Sequence, residues 1–269
     1  MSIAPRQQRR MQEREDDKLL RNGIPAGTRD PAPILAEARR LLRILSRAES
    51  TRDEPTRAGD AAAEIHGGYD TALRHARPER TACKRGCTHC CISYVAVTVP
   101  EVFLIARSLK GKRRDTVAAR VAEADAVTHG RTLAERFASP TLCPLLENGA
   151  CGVYAARPTA CRSVMSFDAD LCARSFLENS GETLSMPAQG LASRSNYQAA
   201  LRAALAAAGL PAEAYELNAA LNRALSTPDA EARWLAGEPI FDGIAPENAS
   251  KPHFDELVRY LVGELKAGA

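Results

Sequence analysis

The chain has 269 residues, with 36 Lys and Arg against 33 Asp and Glu, a formal charge of +3 and 26% charged residues, a balance that gives no electrostatic footprint for nucleic acid. Its length suffices to bury a core, but aromatic residues are only 5%, so that core must be built from Ala, Leu and Val. No apolar run approaches the roughly 18 residues of a membrane span, and the first thirty residues lack the apolar stretch of a secretory signal. The expected location is therefore the cytoplasm, with neither membrane nor nucleic acid as partner and any protein partner unidentified.

Residues 1–30 carry mixed charge without periodicity and end in Asn22-Gly23-Ile24-Pro25, which reads as a disordered tail. A helical segment over 31–78 follows. Ile34, Ala38, Leu41, Leu42 and Leu45 have helical spacing, as do Ala62, Ile65, Tyr69, Leu73 and Ala76, with a kink expected at Gly67-Gly68. The segment 79–176 holds all eight cysteines. Within it, Tyr94–Thr98 is the one convincing strand, Thr98-Val99-Pro100-Glu101 fits a capping box, and two amphipathic helices separate an early from a late cysteine group. The basic residues Arg107, Lys110, Lys112, Arg113 and Arg114 lie between those helices and read as a solvated helix end.

From Cys143 to Cys172 the turn signals Cys143-Pro144, Asn148-Gly149 and Arg157-Pro158 predict loops and short turns, which suit ligand residues. The region 177–269 is helical again. Leu201, Leu205 and Ala208 lead to Gly209 at a helix end, followed by Leu217/Leu221/Leu225, a short helix after Thr227-Pro228-Asp229, and Phe254/Leu257/Leu261/Leu265. The fold expected is mainly α, a helical domain around a loop-rich cysteine cluster with at most one or two short strands.

The candidate metal ligands are Cys83, Cys87, Cys90, Cys91, Cys143, Cys151, Cys161 and Cys172. Four of them fall within nine residues, and the C-x3-C-x2-C spacing with Gly86 before Cys87 lets three thiols turn toward one centre. A reducing compartment keeps such thiols free for metal rather than paired in disulfides. Zinc and iron–sulfur clusters make the same demand for soft thiolates on tight turns; Cys143-Pro144 and the single neighbouring histidine, His89, favour iron–sulfur. Cys90 and Cys91 are adjacent and project in different directions, so two centres, or one centre and a spare thiol, are expected. Lys84, Arg85, Arg157 and Arg162 are placed to offset thiolate charge. His66, His75, His129 and His253 read as surface or cap residues.

Cys83–Cys91, Val95-Ala96-Val97-Thr98 with Glu101, Cys143-Pro144-Leu145, and the run from Cys151-Gly152-Val153-Tyr154 through Arg157-Pro158 to Cys161-Arg162 together resemble the CxxCxxCC cysteine-cluster family over residues 80 to 175. Its members are described as zinc- or iron-chelating, and it includes the flagellin lysine N-methylase. The first interval here holds three residues where the family's name has two. The resemblance implies a metal-binding protein, with an S-adenosylmethionine-dependent lysine methyltransferase as the alternative. No G-x-G-x-x-G loop supports that alternative.

Overall fold

The structure is a computed structural model that describes residues 31–47, 56–76, 80–178, 180–247 and 252–268. The expected tail at 1–30 lies outside them. Helix α1 (Ala32–Leu45) carries Pro33 in its first turn, where a missing N–H costs no intrahelical bond, and buries Ile34, Leu35, Ala38, Leu41, Ile44 and Leu45. Helix α2 (Arg57–Ala76) runs unbroken through Gly67-Gly68. Gly68 is there for contact rather than for a bend: a Cβ would stand 2.5 Å from the Tyr197 ring.

Strand β1 (Ala96–Thr98) leads straight into α3 (Val99–Ser108), whose capping box Thr98/Glu101 forms as the sequence predicts. The chain continues through α4 (Gly111–Thr128), α5 (Leu133–Ala138), the hairpin β2 (Leu146–Glu147) and β3 (Ala150–Cys151), a 3-10 turn at Tyr154–Ala156, α6 (Thr159–Ser163) and α7 (Ala169–Leu177). It ends with α8 (Ala188–Ala207), β4 (Ala214–Glu216), α9 (Leu217–Ser226), α10 (Ala230–Leu235) and α11 (Pro252–Ala267). The protein is thus mainly helical, and the four strands among the described residues are two or three residues long.

Helix α8 is the centre of the packing. Ala199, Ala200, Leu201, Ala203, Ala204 and Leu205 are fully buried, and these mostly small side chains let α1, α2, α6 and α11 pack against one helix. On the other side α9 lies against α3 and α4. The ribbon β1–β4 is antiparallel, with Ala96 opposite Glu216, Val97 opposite Tyr215 and Thr98 opposite Ala214. Both strands feed directly into helices, so this ribbon sets the starts of α3 and α9 side by side. Trp234 closes that end of the core, edge-on to Phe103 at 5.6 Å, while Tyr215 stacks on Phe241 at 5.5 Å. No described helix is long and apolar enough to cross a membrane.

In the basic stretch Lys110 and Lys112 are exposed, as a solvated helix end requires, but the arginines are not free in solvent. Arg107 pairs with Asp60 at 2.9 Å, Arg113 takes Glu147 through two nitrogens, and Arg114 donates to the Ala106 and Leu225 carbonyls. These three arginines bridge elements that sequence distance separates.

Candidate metal centre

The early cysteine group sits on consecutive tight turns. Gly86 has φ +90°, the Cys87 N–H donates to Lys84 O at 3.0 Å, and the Cys91 N–H donates to Thr88 O at 2.9 Å. Backbone bonds join the late group to it, from the Cys143 N–H to Cys91 O at 2.7 Å and from the Ala82 N–H to Ser166 O at 2.8 Å. Asn148 and Gly149, with φ of 49° and 72°, make the two-residue turn that pairs Leu146 with Cys151. Arg113 and Arg120 both hold Glu147 on that hairpin, and Arg113 also reaches Gly152 O at 2.7 Å. A Cβ at Gly152 would press on the Glu147 carboxylate, so a side chain there would have to push that group aside.

Cys161 is placed by a buried polar post. Glu101 is fully buried and accepts from Thr98 N and Oγ1 at 3.0 Å, from Thr159 N and Oγ1 at 2.8 Å, and from His66 Nε2 at 3.3 Å. Burial alone would push its carboxyl up. The hydrogen bond and charge of His66, with the Thr159 and Thr98 N–H groups, outweigh that and hold it down to about 2. The same carboxylate therefore caps α3 and fixes the start of α6, two residues before Cys161. His66 is buried rather than on the surface, and its place on the apolar face with Ala62 and Tyr69 was the available signal. His129 does act as a cap, bonded to Asp125 at 3.1 Å.

Six of the eight candidate ligands line one cavity of about 70 Å³: Cys87, Cys90, Cys91, Cys143, Cys151 and Cys161. That exceeds the roughly 10–15 Å³ one water needs. Cys83 and Cys172 are not part of this lining. They share Ser166 instead, whose N–H donates to the Cys83 sulfur at 3.3 Å and whose side chain bonds Cys172. All eight cysteines are free thiols, and among the described residues no three Cys, His, Asp or Glu side chains already stand as a ready ligand set.

Burial disfavours ionisation of several of these thiols. Burial pushes Cys143 up to about 11 and raises Cys161, Cys151 and Cys83, while Cys90 is raised first by its hydrogen bond with Cys91 and then by burial. A bound cation inverts this logic, because a coordinating thiol is deprotonated outright.

The other groups at the cavity fit such a cation. No histidine lines it, and its carboxylate, Glu216, is committed to Arg136 Nη1 at 2.8 Å and to the Ala219 N–H at 3.0 Å. Arg157 faces the sulfurs. Its guanidinium lies 4.5 Å from the Tyr154 ring centroid, and its Nε is buried with no hydrogen-bond partner among the described residues. It pulls the Cys83, Cys90, Cys151 and Cys161 thiols downward against burial. Arg162, by contrast, is spent on structure, bonding Asp70 and the Arg157 and Ala155 carbonyls. Lys84 lines the cavity, whereas Arg85 is exposed and does not.

A helical scaffold that gathers six thiols around one cavity, with a guanidinium beside them, is suited to binding metal. Residues 82–182 match the model of the CxxCxxCC family, described as a "putative zinc- or iron-chelating domain". No curated protein and no solved structure matches the chain.

Proposed function

We propose that this is a cytoplasmic metal-binding protein that holds an iron–sulfur cluster, in preference to zinc, through the thiolates lining the cavity. Cys87, Cys90, Cys143, Cys151 and Cys161 are the leading ligands; Cys91 is the spare thiol beside Cys90, and Cys83 and Cys172 form a separate pair at Ser166. The observation that carries the reading is the cysteine-rich lining, which holds no histidine and whose one carboxylate is committed to Arg136, with a buried Arg157 nitrogen beside the sulfurs that has no hydrogen-bond partner among the described residues. Such a centre would supply one-electron redox capacity, or in the zinc case a structural cross-link.

Anaerobic purification tests the proposal. Brown protein with about one acid-labile sulfide per iron is the expected result. Colourless protein with stoichiometric zinc would replace the cluster by zinc, and folded protein devoid of both metals would end the reading.

A further inference from the structure

A second cavity, of about 630 Å³, adjoins the cysteine cavity, and Cys90 and Cys161 line both. Its size falls within the roughly 300–1,000 Å³ of small-molecule sites. It is walled by the residues before β1, the α4–α5 connection, α6, α8 and the loop at 243–247. The charges in this wall do not cancel. Glu216 is already taken by Arg136, and Glu247 accepts from the Tyr94 hydroxyl. Arg131 has the Glu135 carboxylate near it, but the Arg194 guanidinium has no such counterpart: among the described residues it stands within ion-pair distance of no carboxylate. Among the described residues the hydrogen bonds that Arg194 donates are long and go to neutral acceptors, Gln198 Oε1 at 3.3 Å and Ser163 Oγ at 3.5 Å. A part-buried guanidinium so poorly partnered is a ready donor for an oxyanion, which it binds through two parallel N–H groups.

We propose that this cavity is a binding site for a small oxyanion-bearing molecule, a carboxylate or a phosphate, whose anionic group is held by Arg194 while its body lies against Cys90 and Cys161. The inference rests on the metal reading only for its consequence, that the ligand would sit beside the centre; the binding itself does not need metal.

The test is calorimetric titration of the full-length protein with malonate and, separately, with inorganic phosphate, alongside metal analysis of the same sample. Binding of at least one with Kd below about 1 mM is expected. Arg194→Ala should weaken it about tenfold or more, and Arg194→Lys should retain part of it. Whichever oxyanion binds identifies the source chemistry. In metal-stripped protein the bound oxyanion should slow alkylation of Cys90 and Cys161 but not of Cys87 or Cys151, which do not line this cavity. Absence of binding to wild type, or equal binding by wild type and Arg194→Ala, would overturn the proposal. Oxyanion binding by protein that purifies anaerobically, folded and without iron or zinc would sustain this site while defeating the metal reading, and metal-loaded protein indifferent to both oxyanions would do the reverse.

Discussion

The helical frame and the cysteine region are held together by different forces. In the frame, α1, α8, α9 and α11 bury apolar side chains at helical spacing, with Leu41, Leu201, Leu205, Leu221 and Leu261 fully enclosed. Between 143 and 163 the elements are two to five residues long and depend on Arg–carbonyl, Thr–Glu and backbone turn bonds. Each hydrogen bond contributes only about 1 kcal/mol net, whereas a fully buried Leu contributes about 1.5–3 kcal/mol. The frame should therefore stand by itself, while the cysteine region gains its rigidity from what its thiols hold.

The largest effect should come from the frame. Trp234→Ala removes the ring that packs against Phe103 and should cost about 3–5 kcal/mol in denaturant unfolding. A loss below about 1 kcal/mol would mean that this end of the core is not cooperative with the rest.

Glu101 joins the two regions and gives the next effect. Its carboxyl is held at about 2, below the unfolded value near 4.3, so its contribution is present above that unfolded value and is lost as pH falls through about 2. The contribution is on the order of 3 kcal/mol. Wild-type stability should fall between about pH 4.5 and pH 2, and Glu101→Gln, already destabilised at pH 7, should lack that decline. Parallel acid titrations of the two proteins would dispose of the idea.

Arg157→Gln should leave the frame intact but speed metal loss to a chelator about tenfold, with Arg157→Lys intermediate and Arg85→Gln unchanged. A drop in thermal stability of the metal-free variant as large as in the metal-bound one would make Arg157 merely structural.

The smallest effects have opposite signs. Gly67→Ala meets nothing within 4 Å inside α2 and should stabilise the frame by about 0.5–1 kcal/mol. Gly149→Ala imposes a side chain on φ +72° and should destabilise the hairpin by about 1–2 kcal/mol. Chemical denaturation of both variants measures the pair.

What the sequence revealed follows the same division. The capping box at Thr98/Glu101, the Leu217/Leu221/Leu225 stripe and the stop at Gly209 are local signals, and each marks a helix boundary or face that the structure has. The Asn148-Gly149 turn was equally legible. Strand β4 was not, because three residues paired across more than a hundred positions leave no periodicity. Helix α5 is only six residues long, yet Thr132 and Glu135 form a capping box that could have found it. The cysteine motif gave the list of thiols but not their partition, since Cys83 and Cys172 are drawn to Ser166 by long-range packing. His66 was misread because its role depends on Glu101, 35 positions away.

Hydrogen exchange measured segment by segment, with metal bound and after chelation under reducing, anaerobic conditions, tests the central claim most directly. The account predicts that amides in α1, α8 and α11 keep their protection in both states, while those between residues 87 and 163 outside α3 and α4 lose it when the metal is removed. Loss of protection throughout the chain, or no change anywhere, would contradict it.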